Sequence, residues 1–128
     1  MEMFELSVDT QFSAAHCLRG YVGDCGRVHG HTWKVTVNVE AKSNDNMGMA
    51  MDFKVIAKTL EESVKDFDHR FLNELEYFST VNPTAENIAS LLFDRLSHEI
   101  NGNGISVLSV TVAESDRYRA TYRQEKHP

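Results

Sequence analysis

The segment Cys25-Gly26-Arg27-Val28-His29-Gly30-His31 holds the residue types best suited to chemistry. His29 and His31 are two residues apart. In a strand, residues i and i+2 point to the same face. Two imidazoles on one face, with a single glycine between them, suit one small shared ligand, and a metal ion is the natural one. The thiol of Cys25 stands four residues before His29. A thiol beside a dication or an imidazole has a lowered pKa and takes a proton near neutrality. Cys25 therefore reads either as a further metal ligand, closing a structural site, or as a nucleophile or base. Asp68-His69 offers a partner, in which the aspartate orients the imidazole and the imidazole shares a proton with the thiol. The competing reading of Asp68-His69 is a helix C-terminal cap.

The elements that must position these groups follow from periodicity. Residues 3 to 16 alternate, with Phe4, Leu6, Val8, Thr10, Phe12, Ala14 and His16 on one parity and polar residues on the other. That is a half-buried strand whose inner face ends in His16; Cys17 has the opposite parity. A loop with Gly20, Gly23 and Gly26 leads to a second strand, in which Trp33, Val35, Val37, Val39 and Ala41 extend the face begun by His29 and His31. Antiparallel pairing through that loop would bring His16 to the other two histidines. Three neutral imidazoles with one open position are the pattern of a catalytic zinc site, although copper, iron or nickel also accept histidine.

After the polar turn Ser43 to Gly48, Asp52 is expected to cap a helix that runs to about Phe67, with Phe53, Ile56, Ala57, Leu60 and Val64 inward and Lys58, Glu61, Glu62 and Lys65 in solvent. Asn82-Pro83-Thr84 starts a second helix, with Ile88, Leu91, Leu92 and Leu96 as its stripe and His98 on its surface. Asn101-Gly102-Asn103-Gly104 ends it. A strand from Ile105 to Glu114 places Leu108, Val110 and Val112 on the parity of Glu114, and a fourth strand covers Tyr118 to Arg123. A carboxylate ending an apolar strand face is costly unless solvated or bound to a cationic or hydrogen-bond-donating ligand. The expected order is ββααββ: an α+β fold with a four-stranded, mainly antiparallel sheet and both helices on one face.

With 128 residues, the chain reads as one domain, 1–128, with 41% hydrophobic residues and a net charge of −6. It has no basic block to hold nucleic acid and no apolar run fit to cross a bilayer. The N-terminus lacks the basic and apolar regions of a secretory signal, so the expected location is the cytoplasm. There the two cysteines, Cys17 and Cys25, suit reactivity or ligation better than a disulfide.

Taken together, Phe12-Ser13-Ala14-Ala15-His16, Cys25 to His31, Asp52-Phe53, Asp68-His69, Asn82-Pro83-Thr84-Ala85-Glu86-Asn87 and Glu114 resemble, in order and over nearly the whole chain, the 6-pyruvoyltetrahydropterin synthase family. The short spacing from Cys25 to His29 looks like the bacterial 6-carboxytetrahydropterin synthase branch of queuosine biosynthesis. The resemblance implies zinc held by His16, His29 and His31, Cys25 as general base, and His69 with Asp68 as proton relay. It implies Glu114 as the anchor of a pterin, and Thr84 and Glu86 in the pterin pocket, where Ala85 replaces a second threonine of some members. Arg27 is the candidate cation for the triphosphate. The implied architecture is the tunnelling fold, an oligomeric β-barrel, with a homohexamer of two trimers and active sites between subunits. The implied lyase reaction converts 7,8-dihydroneopterin triphosphate to 6-carboxy-5,6,7,8-tetrahydropterin, acetaldehyde and triphosphate. The alternatives are the 6-pyruvoyl product from the same substrate and a non-catalytic zinc-binding subunit with Cys25 as fourth ligand.

Overall fold

The alternation of the first forty residues becomes a long two-stranded ladder in the computed structural model, which describes residues 3–23, 26–42 and 44–125. Strand β1 (Phe4–His16) pairs antiparallel with β2 (His29–Ala41), in a register that sets Phe12 opposite Trp33, Ala14 opposite His31 and His16 opposite His29. Helix α1 (Phe53–Ser63) follows, capped by Asp52, whose carboxylate accepts from the Lys54 N–H at 2.9 Å. A two-residue strand β3 (Arg70–Phe71) and two short 3-10 turns then lead to α2 (Ala85–Ile100), capped by Thr84 through the Asn87 N–H at 3.0 Å. Strands β4 (Ile105–Ala113) and β5 (Arg119–Tyr122) complete the chain.

The sheet has five strands in the order β3-β1-β2-β4-β5, one more than the four expected. β3 is parallel to β1, matching Ala14 with Arg70 and Ala15 with Phe71; every other pairing is antiparallel. A two-residue strand is too short to leave an alternation in the sequence, and it forms because the preceding turn is tied to β1. The sheet is open, and no barrel closes within one chain.

Both helices cover one face. Trp33, Val35, Val37 and Val39 of β2, all fully buried, pack against Ile56 and Leu60 of α1 and Ile88, Leu92 and Leu96 of α2. Burying side chains of this size is the main stabilising contribution, about 1.5–3 kcal/mol each. β4 departs from simple alternation: its pairing with β2 slips between Asn38 and Val39, so Ser109 and Val107 take successive positions and Leu108 is the extra residue. Val107 is thus buried where parity placed Leu108.

Helix α1 also stops earlier than its apolar spacing predicts. Continuation would give the Ser63 carbonyl to the Phe67 N–H. Arg95 takes that carbonyl at 2.7 Å, and the Phe67 N–H bonds the Val64 carbonyl at 3.0 Å. Arg95 also forms a two-point pair with Asp66 at 2.9 and 3.0 Å. The tighter turn drops Phe67 into the core against Phe12 and Phe78. None of the described helices is long and apolar enough to cross a membrane.

Candidate metal centre and active site

The ladder of β1 and β2 ends in three imidazoles. His16 is 1% exposed, and its ring lies 4.5 Å from that of His29 and 5.2 Å from that of His31, centroid to centroid. One ring nitrogen from each lies within 4.8 Å of the others. Trp33 supports the cluster from inside, its ring 4.7 Å from His16 and 5.2 Å from His31. Its indole N–H donates to the Ala14 carbonyl at 3.1 Å, so this large residue is locked in place.

Two backbone carbonyls fix which nitrogens face the centre. His16 Nδ1 is 2.7 Å from the Pro83 carbonyl, and His29 Nδ1 is 2.7 Å from the Arg27 carbonyl. A carbonyl only accepts, so both Nδ1 atoms carry the proton and both Nε2 atoms present a lone pair. This second-sphere contact is how proteins orient metal-binding histidines. His16 Nε2 and His31 Nε2 are buried with no hydrogen-bond partner among the described residues. Leaving such atoms unpaired is costly, and a cation placed among them satisfies them. The donor set therefore fits a metal ion, and three imidazoles with an open position fit a catalytic zinc.

Burial lowers the pKa of His16 and of His31 below the ordinary value near 6.5, against the opposing pulls of the Pro83 carbonyl on His16 and of the Glu114 carboxylate on His31. The rings are thus held neutral and ready to ligate. The sign follows for stability. As pH falls, the unfolded chain takes up protons that these buried rings refuse. The metal-free protein should be at full stability above about pH 6.5 and lose it as pH drops through the folded-state values. Thermal unfolding midpoints between about pH 7.5 and 5.5 check this, with a fall expected at the acid end.

Glu114 follows the last residue of β4, and its backbone N–H is tied to the Tyr118 carbonyl at 3.0 Å. Its carboxylate is part-exposed and lies 3.7 Å from His31 Nε2, at the mouth of the cluster. The strand-end carboxylate thus stands beside the histidine cluster, as its parity with Val112 implies.

Asp68 and His69 do not cap α1, which ends five residues earlier. Asp68 accepts from the Ser13 N–H at 2.9 Å, and its other oxygen meets His69 Nδ1 at 2.9 Å. His69 takes a left-handed backbone, φ 59°, while its own N–H donates to the Ser13 carbonyl. The Ser13 N–H bond, then the His69 bond, hold the Asp68 carboxyl below its usual range. Both bonds use the Ser13 backbone, so the pair is anchored to the edge of β1 that β3 joins. The His69 imidazole is 81% exposed and borders an open cleft of about 590 Å³ together with His31 and Arg70.

Thr84 spends its hydroxyl on the α2 cap, and Glu86 is exposed in the first turn of that helix. Pro83, beside them, is the residue that reaches the cluster, through its carbonyl to His16. Arg27 is exposed and meets the cluster through its carbonyl to His29. Cys25 lies outside the described residues. Its neighbour Gly26 is a position where an added Cβ would run into the Tyr21 carbonyl, which accounts for glycine there. Sequence reasoning missed two amides: Asn73 bonds both backbone polar groups of Cys17, and Asn82 both of Arg19. A lone asparagine in a turn carries no signal that distinguishes it from an ordinary loop residue.

Comparison with known proteins agrees with this geometry. A protein of Archaeoglobus fulgidus, provisionally named 6-carboxy-5,6,7,8-tetrahydropterin synthase, is 39% identical over 93% of this chain and 95% of its own. The Bacillus subtilis protein of the same name is 33% identical over 96% of this chain and 87% of its own. The structure of Caenorhabditis elegans 6-pyruvoyl tetrahydropterin synthase superposes with a TM-score of 0.86 at 25% identity, covering 98% of both chains. The 6-pyruvoyl tetrahydropterin synthase family model matches residues 5–125, and with the histidine cluster at the end of an α+β sheet of that fold, the chain belongs to this family.

Proposed function

We propose that the protein is a zinc-dependent lyase of the 6-carboxy-5,6,7,8-tetrahydropterin synthase type. It would convert 7,8-dihydroneopterin triphosphate to the 6-carboxy pterin with release of acetaldehyde and triphosphate, in queuosine biosynthesis in the cytoplasm. The observation that carries the reading is the histidine cluster with Glu114 at its mouth: three imidazoles, two with assigned tautomers, beside one carboxylate. The relatives that bear this name over most of the chain favour the carboxy product.

His16, His29 and His31 would hold zinc. When bound there, zinc supplies a Lewis acid that acidifies the hydroxyls and adjacent C–H bonds of the substrate side chain. Glu114 accepts hydrogen bonds from the ring N–H and amino group of the pterin and so fixes the side chain toward the cluster. Cys25 removes and returns protons, and His69, held by Asp68, carries them to and from the thiol. Thr84 and Glu86 line the pterin pocket from the start of α2, and Arg27 receives the triphosphate.

The open sheet supports the homo-oligomer this reading requires. β5 is an edge strand of the sheet among the described residues, and pairing with another copy satisfies such an edge. Two trimers forming a hexamer, with the site between subunits, is the assembly proposed.

The test is a mass-spectrometric product assay on zinc-loaded protein with 7,8-dihydroneopterin triphosphate. A 6-carboxy product with acetaldehyde is expected; a 6-pyruvoyl product would move the protein to the other branch, and no turnover would favour the binding-only subunit. Glu114→Gln should lower kcat/KM by about 10–100-fold, the equivalent of a lost charge-assisted hydrogen bond of about 1.5–3 kcal/mol. Most of that loss should appear in KM, read from initial rates across a substrate series.

A further inference from the structure

β1 leaves the ladder at His16, because β2 begins opposite it at His29. The next residues have no strand to pair with, yet both backbone polar groups of Cys17 and of Arg19 are engaged. Asn73 accepts from the Cys17 N–H at 3.0 Å and donates to the Cys17 carbonyl at 2.9 Å. Asn82 does the same to Arg19, at 2.9 and 3.1 Å. A primary amide carries an acceptor and a donor side by side, so each asparagine stands in for a peptide group of a missing neighbouring strand. The two positions are i and i+2, the spacing at which a strand repeats its hydrogen-bonding direction.

The amides are themselves anchored. The Asn82 carbonyl accepts from the Thr84 N–H and from the Asn87 amide, both at 2.9 Å, which ties it to the first turn of α2. The Arg19 guanidinium closes the cluster with bonds to the Asn73 carbonyl at 3.1 Å and the Val81 carbonyl at 3.3 Å. Asn82 is followed by Pro83, whose carbonyl orients His16. The connector from Asp68 to Thr84 therefore grips β1 and its exit from Ser13 to Arg19, carrying both the Asp68–His69 pair and the orienting carbonyl. From this base the Tyr21 N–H bonds the Leu18 carbonyl, and Gly26 closes against the Tyr21 carbonyl.

We infer that Asn73 and Asn82 are positioning residues for the reaction. Their amides replace a strand, hold the exit of β1 directly after His16, and fix the approach to Pro83, whose carbonyl orients His16. A displacement of about 1 Å in such a group costs about 10²-fold in rate. The kinetic part of the inference rests on the proposed reaction; the metal-site part does not.

Asn73→Leu and Asn82→Leu keep the size of the side chain and remove both hydrogen bonds. Asn82→Ala serves if the leucine variant fails to fold. For each folded protein three things are measured: the thermal midpoint, kcat and KM with 7,8-dihydroneopterin triphosphate, and the visible spectrum of the cobalt-loaded form. The expected result is a fall in kcat of about 10–100-fold with KM within about threefold of the parent. The cobalt bands of the Asn82 variant should shift, because its neighbour Pro83 orients His16. Parental kcat in both folded variants overturns the inference, and so does a loss of rate that only tracks the loss of folded protein. If the parent itself turns over no substrate, the proposed reaction fails; the cobalt spectrum then decides, and bands identical to the parent's overturn the positioning role.

Discussion

Replacing His31 by alanine is expected to remove tight metal binding and to lower kcat/KM by about 10³-fold or more. His31 offers one of three ring nitrogens that lie within 4.8 Å of one another, and its Nε2 is buried without a hydrogen-bond partner among the described residues. A Lewis acid at a reacting centre contributes several kcal/mol, and about 4 kcal/mol corresponds to 10³-fold. Trp33 makes the binding measurable without substrate. It is the only tryptophan in the chain, fully buried, with its ring 4.7 Å from that of His16 and 5.2 Å from that of His31. A paramagnetic ion such as cobalt should quench its fluorescence, saturating at one ion per chain in the parent and failing to do so in His31→Ala. Saturating quenching by the variant at parental ion concentrations would remove His31 from the ligand set.

How much of this site was legible in the sequence depended on whether a residue's role is set by local periodicity or by a distant contact. His16, His29 and His31 were legible because a two-residue repeat carries side-chain direction through a strand, and one loop joins the two strands. Glu114 was legible for the same reason, since the parity of Val110 and Val112 reaches it. Parity failed at Leu108, where a bulge inserts one residue and Val107 turns inward. No composition marks such a slip in advance.

The end of α1 was hidden for another reason. Val64 and Phe67 keep a helical spacing, but the carbonyl that would extend the helix is captured by Arg95, thirty-two residues away in sequence. Asp68 illustrates the same limit. As a local motif it reads as a cap, and only its bond to Ser13, fifty-five residues distant, shows that it fastens a turn to β1. That fastening creates β3 and explains the fifth strand. Asn73 and Asn82 act on Cys17 and Arg19 across comparable separations, so the connector's grip on β1 could be read only from the folded chain.

Cys25→Ala should leave the fold and the metal in place and lower kcat by about 10²–10⁴-fold, the usual contribution of a positioned general base. The sequence places Cys25 four residues before His29, and the proposed reaction gives its thiol the role of base. The rival role, a fourth ligand closing the site, makes opposite predictions for two measurements. As a base, the thiol leaves the cobalt-loaded parent without a thiolate-to-metal charge-transfer band, and Cys25→Ala binds zinc about as tightly as the parent. As a ligand, the thiol gives that band, and its removal weakens zinc binding and opens a coordination position. Cys25→Ser refines the outcome. Its hydroxyl is a far weaker base at neutral pH, so a catalytic thiol predicts that serine rescues little of the lost rate. Near-parental turnover by Cys25→Ala would exclude the thiol as the base.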